Sequence, residues 1–174
     1  LEPFLDEGSL RWRAATDESL DRDVIRPADD AFHPEGGMRL LEGNLGRSLI
    51  KTSAVAAERQ RITAPAVVIS DQAELQVLFE RGELDRDCVV VARFQGPAAN
   101  GMPELHQLMP ILGVLQDRGH AVALVTDGRL SGASGKVPSA IHVTPEAAKG
   151  GAIGRIQDGD MMSLDVKAGE LCVI

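Results

Sequence analysis

Two polar, glycine-containing loops, each following an apolar run, carry the residues of this sequence best suited to chemistry. Residues 122–125 (VALV) form an apolar run that gives way to a polar loop over residues 126–135. Residues 88–94 form a second apolar run, followed by a polar loop over residues 95–101. Such runs are typical of buried strands, and small anionic ligands commonly bind beyond the carboxyl ends of parallel strands. If the two strands are neighbours, both loops open on one side of the sheet and share a pocket.

Glu104 and Ser131 lie in or beside these loops and have side chains suited to catalysis or binding. Glu104 follows Pro103 at a predicted helix start, where a carboxylate is favoured by the helix dipole and can face a hard cation such as Mg²⁺. An ordinary first-turn glutamate is an equal alternative. The hydroxyl of Ser131 could approach a ligand, although a turn serine bonded to its own backbone is a commoner arrangement. No GxSxG run surrounds Ser131, so a hydrolase nucleophile is not indicated.

Two cations in the second loop allow more than one interpretation. Arg129 could pair with Asp127 to shape the loop, or it could bind a carboxylate or phosphate through its two-pronged guanidinium. Lys136 could neutralise a phosphate, or it could simply be a solvated surface lysine. The four histidines show no metal-ligand spacing, which favours structural roles for them.

The elements that must position these loops are predicted from apolar runs and chain breakers. A helix is predicted over residues 72–81 with Asp71 as its N-cap, and a second helical segment over residues 103–118 that Pro110 breaks or restarts. Strands outnumber helices, which predicts a mixed sheet or barrel with two or three flanking helices. The predicted strands cover residues 48–53, 66–70, 88–94, 122–125, 140–143, 153–157, 161–166 and 171–174.

Composition excludes several classes of protein. The formal net charge of −8 and the scattered cations argue against a nucleic-acid partner, because phosphate backbones are bound by clustered Lys and Arg. No apolar run is long enough to cross a membrane, and no signal peptide opens the chain, which predicts a cytoplasmic protein without a membrane partner. Cys88 and Cys172 are the only cysteines, and both lie in apolar runs, so we expect core residues rather than a disulfide or a thiolate cage.

The chain is predicted to contain one domain with a long lead-in. Residues 1–43 are turn-rich and are expected to form an extended lead-in segment, and residues 44–174 are expected to form the domain. The first residue is Leu1 rather than Met, and the last residues end within a predicted strand. We therefore expect a fragment of a longer protein.

Three long runs resemble a known enzyme family. They are GNLGRSLIKTSAV (residues 43–55), VVVARFQGPAANGMPELHQLMPILGVLQDRG (89–119) and VALVTDGRLSGASGKVPSAIHVTPEA (122–147). They resemble the carboxyl-terminal domain of the dihydroxy-acid dehydratase and 6-phosphogluconate dehydratase family, and the similarity extends over nearly the whole chain. Gln95 before Gly96-Pro97, the spacing AANG and the run GASGKVP resemble the 6-phosphogluconate branch. The resemblance implies an α/β fold, a swivelling β/β/α domain with a mixed barrel-like sheet and flanking helices.

The family also implies a reaction and its cofactors. Its members dehydrate a 2,3-dihydroxy acid to a 2-keto-3-deoxy acid, here a sugar-acid phosphate, 6-phospho-D-gluconate, with an iron–sulfur cluster and, in some members, Mg²⁺. By resemblance, Ser131 matches the proposed serine base and Glu104 matches the acidic ligand of Mg²⁺. Arg129, Ser134 and Lys136 lie in the same loop and are expected to bind substrate.

The resemblance also implies what this chain lacks. The cluster cysteines belong to an amino-terminal domain, and Cys88 and Cys172 do not match their positions. We therefore expect a chain that folds and holds half of an active site but is inactive alone; full-length members pair this domain with their own amino-terminal domain and form homodimers. The alternatives are a dihydroxy-acid dehydratase of branched-chain amino-acid synthesis and a swivelling binding module without catalysis.

Overall fold

The computed structural model describes residues 1–131 and 135–174, and these divide into two compact units, Leu1–Gly36 and Gly37–Ile174. The first unit contains an antiparallel hairpin of β1 (Glu2–Asp6) and β2 (Ser9–Arg13) and a 3-10 turn over Ala28–Asp30. Arg11 and Arg13 pair with Asp6 and Glu2 across one face of the hairpin. The predicted lead-in of residues 1–43 thus contains this hairpin and, at its end, the strand that opens the second unit.

The second unit is a closed barrel of eight strands in the order β10-β3-β4-β8-β7-β6-β5-β9. The four neighbours β5, β6, β7 and β8 are parallel to one another, whereas β4 and β9 join this group in antiparallel fashion. The barrel confirms the predicted mixed barrel-like sheet with flanking helices. The strands are β3 (Met38–Gly43), β4 (Gly46–Lys51), β5 (Arg61–Ile69), β6 (Cys88–Ala92), β7 (Val122–Thr126), β8 (Ser139–Thr144), β9 (Met161–Asp165) and β10 (Glu170–Val173).

In the described part of the second unit, three α-helices and three further 3-10 turns connect the barrel strands. The α-helices are α1 (Gln72–Glu80), α2 (Pro97–Asn100) and α3 (Leu108–Asp117), and the turns cover Ala57–Arg59, Ala147–Lys149 and Ala152–Arg155. Among the described residues, no helix has the length and apolar character needed to cross a membrane.

Side-chain alternation along the parallel strands builds two apolar cores. Val89 and Val91 of β6 point into the barrel interior, while Val90 packs outward with Leu112 and Leu115 of α3. Both faces of β6 are therefore buried, because alternate residues of a strand point to opposite faces. This explains why its sequence is a continuous apolar run.

Helix α1 begins where its capping residue predicts. The Asp71 carboxylate accepts a hydrogen bond from Ala73 N at 2.8 Å, and the Glu74 carboxylate accepts one from Asp71 N at 3.0 Å. This reciprocal pair is a capping box, which satisfies amide groups that have no partner within the helix. The predicted helix over residues 72–81 is confirmed to within one residue.

Two predicted elements are wrong. Residues 153–157 were expected to form a strand, but Ala152–Arg155 is a 3-10 turn in a connection that crosses from β8 to β9. The helical segment expected from residue 103 begins only at Leu108, and Pro110 does not break it. Pro110 lies in the first turn of α3, where a missing backbone N–H leaves no intrahelical hydrogen bond unmade.

Candidate functional site

The two polar loops lie at the same end of the barrel. Strands β6 and β7 are parallel neighbours in a register that places Ala92 beside Thr126, so their carboxyl ends are adjacent. This confirms that the loops open on one side of the sheet. Thr126 also ties the two strand ends together, because its hydroxyl donates to Ala92 O at 2.6 Å and accepts from Gly128 N at 2.9 Å.

Asp127 joins three segments at this end. The residue is only 2% exposed, and its Oδ1 accepts a hydrogen bond from Gln95 N at 2.9 Å while its Oδ2 accepts one from Ala147 N at 2.9 Å. Asp127 does not form the ion pair with Arg129 that was one interpretation of the sequence. Its carboxylate instead fixes the loop after β6 and the turn after β8 against the end of β7.

Gln95 extends this network towards β5. Its Nε2 donates to Ser70 O at 2.6 Å, and its Oε1 accepts from Asn100 Nδ2 at 3.0 Å. The backbone of Gly128 passes so close that a Cβ there would lie 2.7 Å from Gln95 Cβ. The sequence pattern indicated no role for Gln95 in positioning the loops, and for Asp127 it indicated only the pair with Arg129, although both residues lie just beyond the ends of buried strands.

Glu104, Arg129 and Ser131 form a compact cluster beside this network. Arg129 Nη1 lies 2.8 Å from Glu104 Oε2, and Arg129 Nε donates to Met102 O at 2.9 Å. Ser131 N donates to Glu104 Oε1 at 2.8 Å. Each carboxylate oxygen therefore accepts one hydrogen bond, and the acid holds the loops after β6 and β7 at a fixed distance.

Glu104 does not occupy the helix start that was expected. It lies in the loop before α3, paired with Arg129 by an isolated parallel bridge between the two chain segments. Its backbone oxygen accepts a hydrogen bond from Gln72 Nε2 of α1 at 3.1 Å. The position of Glu104 is thus set by contacts with α1 and the loop after β7, not by a helix dipole.

The structure brings together some of the predicted site residues and separates others. Glu104, Arg129 and Ser131 are in contact, whereas Ser134 lies outside the described residues. Lys136 Nζ pairs with Asp117 Oδ1 of α3 at 2.5 Å, and both side chains are more than half exposed. Arg129 and Lys136 each have an acidic partner within the chain.

Comparison with known proteins identifies the family of this chain. The model of the family described as dihydroxy-acid/6-phosphogluconate dehydratase C-terminal matches residues 23–174. The chain belongs to this family. The match covers all of the barrel and both polar loops.

The phosphogluconate dehydratases compared with this chain are more similar to it than the dihydroxy-acid dehydratase is. A phosphogluconate dehydratase of Pseudomonas aeruginosa is 60% identical over 99% of this chain, and one of Escherichia coli K12 is 58% identical over 100%. A dihydroxy-acid dehydratase of Archaeoglobus fulgidus is 40% identical over 86% of this chain. The chain spans 28% and 29% of the length of the two phosphogluconate dehydratases.

Within the cluster of Glu104, Arg129 and Ser131, the Glu104 carboxylate can supply one ligand to a hard cation. No group of three or more His, Cys, Asp or Glu able to hold a metal occurs among the described residues. Glu104 nevertheless presents a carboxylate that is about one-third exposed, and each of its oxygens retains capacity for another partner. Oxygen ligands are what Mg²⁺ prefers, so Glu104 fits one position of a site whose other ligands come from elsewhere.

The two cysteines cannot hold an iron–sulfur cluster by themselves, because such a cluster takes four ligands, mostly thiolates. Cys88 is fully buried in β6, and burial raises the pKa of its thiol to about 11, which disfavours the thiolate that binds iron. Cys172 is half-buried in β10 and is also a free thiol. Burial of Cys88 agrees with its predicted place in the core, whereas Cys172 is only partly covered.

Proposed function

We propose that this chain is the carboxyl-terminal part of a phosphogluconate dehydratase, a hydro-lyase that acts on a sugar-acid phosphate. The reaction removes water from 6-phospho-D-gluconate to give 2-dehydro-3-deoxy-6-phospho-D-gluconate in the Entner-Doudoroff pathway. The observation that carries the proposal is the Glu104–Arg129–Ser131 cluster at the barrel end, in a chain 58–60% identical to enzymes of that name. The lower identity to the dihydroxy-acid dehydratase, 40%, favours this branch over the other.

The proposed role of Ser131 is that of a base. In the overall reaction, C2 loses a proton and C3 loses its hydroxyl as water, and the resulting enol takes a proton at C3 to become the keto acid. A base within hydrogen-bond reach of C2 is required for the first event. The bond from Ser131 N to Glu104 fixes the backbone of the serine relative to the loop after β6.

A serine hydroxyl requires help to act as a base near neutral pH. Positive charge close to the oxygen stabilises its anion. Arg129 is held near this loop by Glu104 Oε2 and Met102 O, but the Glu104 carboxylate offsets its charge, so further positive charge is required. We propose that Mg²⁺, for which Glu104 is one ligand, supplies more positive charge and binds substrate oxygens.

The remaining parts of the proposal concern what surrounds this chain. We propose that an iron–sulfur cluster and the other Mg²⁺ ligands are contributed by the amino-terminal domain of a full-length enzyme, because the two cysteines described here cannot hold a cluster by themselves. A cytoplasmic homodimer is the assembly that the family resemblance implies. Residues 1–174 alone would then be inactive.

The proposal is tested by anaerobic turnover in the full-length enzyme. We expect it to dehydrate 6-phosphogluconate in preference to an unphosphorylated 2,3-dihydroxy acid. Ser131→Ala should lower kcat by about 10²–10⁴-fold, the range typical for loss of a general base. Ser53→Ala removes an exposed hydroxyl in the turn after β4 and should leave kcat unchanged.

Two results would contradict the proposal. Preference for the unphosphorylated acid would assign the chain to the other branch of the family. Full activity of the Ser131→Ala enzyme would place the base on another residue.

A further inference from the structure

A polar cavity lies at the same barrel end as the Ser131 cluster. It has a volume of about 670 Å³ and lies beyond the carboxyl ends of β5 and β6, under the connection between β8 and β9. Its polar and charged lining residues are Ser70, Glu74, Arg93, Arg155, Gln157 and Asp158. Two arginines that line one cavity are typical of a site for an anion.

Arg93 is fixed in position by the connection above it. Its Nη1 donates to Gly154 O at 3.0 Å and to Ile156 O at 2.9 Å. Its Nε is buried and has no acceptor among the described residues. The guanidinium therefore keeps hydrogen-bonding capacity after its structural contacts have been made.

Arg155 also lines this cavity, and it lines a neighbouring cleft with Asn44 and Asp160 as well. It ends the 3-10 turn Ala152–Arg155, is exposed, and has neither an ion pair nor a hydrogen bond within the described part of the chain. This distinguishes it from Arg129 and Lys136, which pair with Glu104 and Asp117. An arginine without an acidic partner beside a cavity is well suited to bind an anion.

The acids that line the cavity hydrogen-bond to backbone groups. Glu74 Oε1 accepts from Ser70 N and Asp71 N at 3.2 and 3.0 Å. Asp158 Oδ1 accepts from Val68 N at 2.6 Å. Because neither carboxylate forms an ion pair with Arg93 or Arg155, the guanidinium groups are not already neutralised by direct contact.

We infer that Arg93 and Arg155 form the site for the phosphate of the substrate, an inference that rests on the proposed function. Phosphorus and C2 of 6-phosphogluconate are six bonds apart, which at about 1.5 Å a bond in a zigzag chain is on the order of 7 Å. Ser131 N is bonded to Glu104, whose backbone oxygen accepts from Gln72 of α1, and α1 also carries Glu74 of the cavity lining, so the Ser131 cluster and the cavity adjoin the same helix. A substrate whose C2 lies at Ser131 can therefore direct its phosphate towards this cavity.

The first test measures binding of phosphate without catalysis. The 174-residue chain is titrated with 6-phosphogluconate, gluconate and inorganic phosphate, and binding is followed by calorimetry and by NMR shifts of the arginine side chains. We expect the phosphorylated ligands to bind more tightly than gluconate and to shift Arg93 and Arg155. Arg155→Gln should weaken binding of inorganic phosphate at least tenfold, and because Arg155 is exposed, the fold should not change.

Lys149→Gln provides a matched control. Lys149 is also an exposed cation at this end of the barrel, but it lines a separate cleft with His142 and Glu146. Its substitution should leave phosphate binding unchanged. Equal binding of phosphate by Arg155→Gln and the unmodified chain would overturn the inference, as would loss of binding in Lys149→Gln or in Lys136→Gln instead.

A second test separates failure of the site from failure of the proposed function. In the full-length enzyme, Arg155→Gln should raise KM for 6-phosphogluconate at least tenfold, with a smaller change in kcat. An active enzyme whose KM does not respond would overturn the phosphate site and leave the proposed function intact. A different result would overturn the proposed function and support an anion site. In that case the full-length enzyme is inactive on 6-phosphogluconate, but the 174-residue chain binds inorganic phosphate only when Arg155 is present.

Discussion

Glu104 shows how one carboxylate can organise a site before any ligand binds. Its two oxygens accept from Arg129 and from the backbone of Ser131, and its own backbone oxygen accepts from Gln72. Three segments far apart in sequence therefore meet at one residue. Charged hydrogen bonds of this kind fix orientation more strongly than neutral ones, which suits the metal-binding role that we propose for Glu104.

Asp127 performs a similar task without access to solvent, which leads to a prediction about stability. In Asp127→Asn, the amide can accept from only one of Gln95 N and Ala147 N, so a buried N–H faces another donor. An unsatisfied buried group costs about 1–3 kcal/mol, and we expect a loss of this size in the free energy of unfolding. Urea unfolding of the 174-residue chain measures it.

Asp117→Asn is the exposed counterpart of this substitution. Asp117 pairs with Lys136 at the surface, where ion pairs contribute about 0–1 kcal/mol, so the change should be much smaller. Equal unfolding midpoints for Asp127→Asn and the unmodified chain would show that the buried carboxylate does not hold the three segments together.

At the scale of elements, a charged cluster lies at the amino-terminal ends of the parallel strands, opposite the candidate site. Asp85, before β6, accepts hydrogen bonds from His120 Nε2 at 3.0 Å and Arg118 Nη1 at 3.2 Å, both from the connection between α3 and β7. These bonds, the one from His120 first, lower the pKa of Asp85 below its ordinary value of 3.8. The cluster links the connections that lead into two neighbouring strands.

The lowered pKa of Asp85 predicts a pH dependence of stability. A carboxyl whose pKa is lower in the folded state stabilises the fold above its unfolded pKa, and this contribution is lost as the pH falls through the folded value. The difference in unfolding free energy between the unmodified chain and Asp85→Asn should therefore be constant near neutral pH and shrink below pH 3.8. Urea unfolding across this range measures it, and a difference that stays constant at low pH would contradict the role of Asp85.

The elements also show what the sequence could predict. Strand β6 and helix α1 were predictable because both carry local signals, a buried apolar run and a capping box. The turn Ala152–Arg155 was not, because its short apolar stretch resembles a strand and its contact with Arg93 comes from distant sequence. Ser131 and Glu104 could be selected by type and spacing, but their contact depends on how α1 and β7 pack, which no local pattern encodes.

For the whole molecule, the barrel places chemistry and stability in different parts. The interior core and the core beneath α1 and α3 are built from side chains along the strands, whereas the candidate site residues lie in loops beyond the strand ends. Loop residues can therefore change with little cost to the core. Gln95 and Asp127 also lie in these loops, but both are buried, and their hydrogen bonds connect the loops to the strand ends.

The closed barrel predicts that the second unit folds without the first. All eight barrel strands and every residue of both apolar cores lie within Gly37–Ile174. A chain that starts at Gly37 should therefore keep its far-ultraviolet circular dichroism and a cooperative urea transition, with a free energy of unfolding within about 1 kcal/mol of that of the 174-residue chain. As a control, a chain that starts at Gly46 lacks β3, which opens the barrel between β10 and β4, and should not unfold cooperatively. Loss of the cooperative transition on removal of Leu1–Gly36 alone would show that the barrel is incomplete without its first unit.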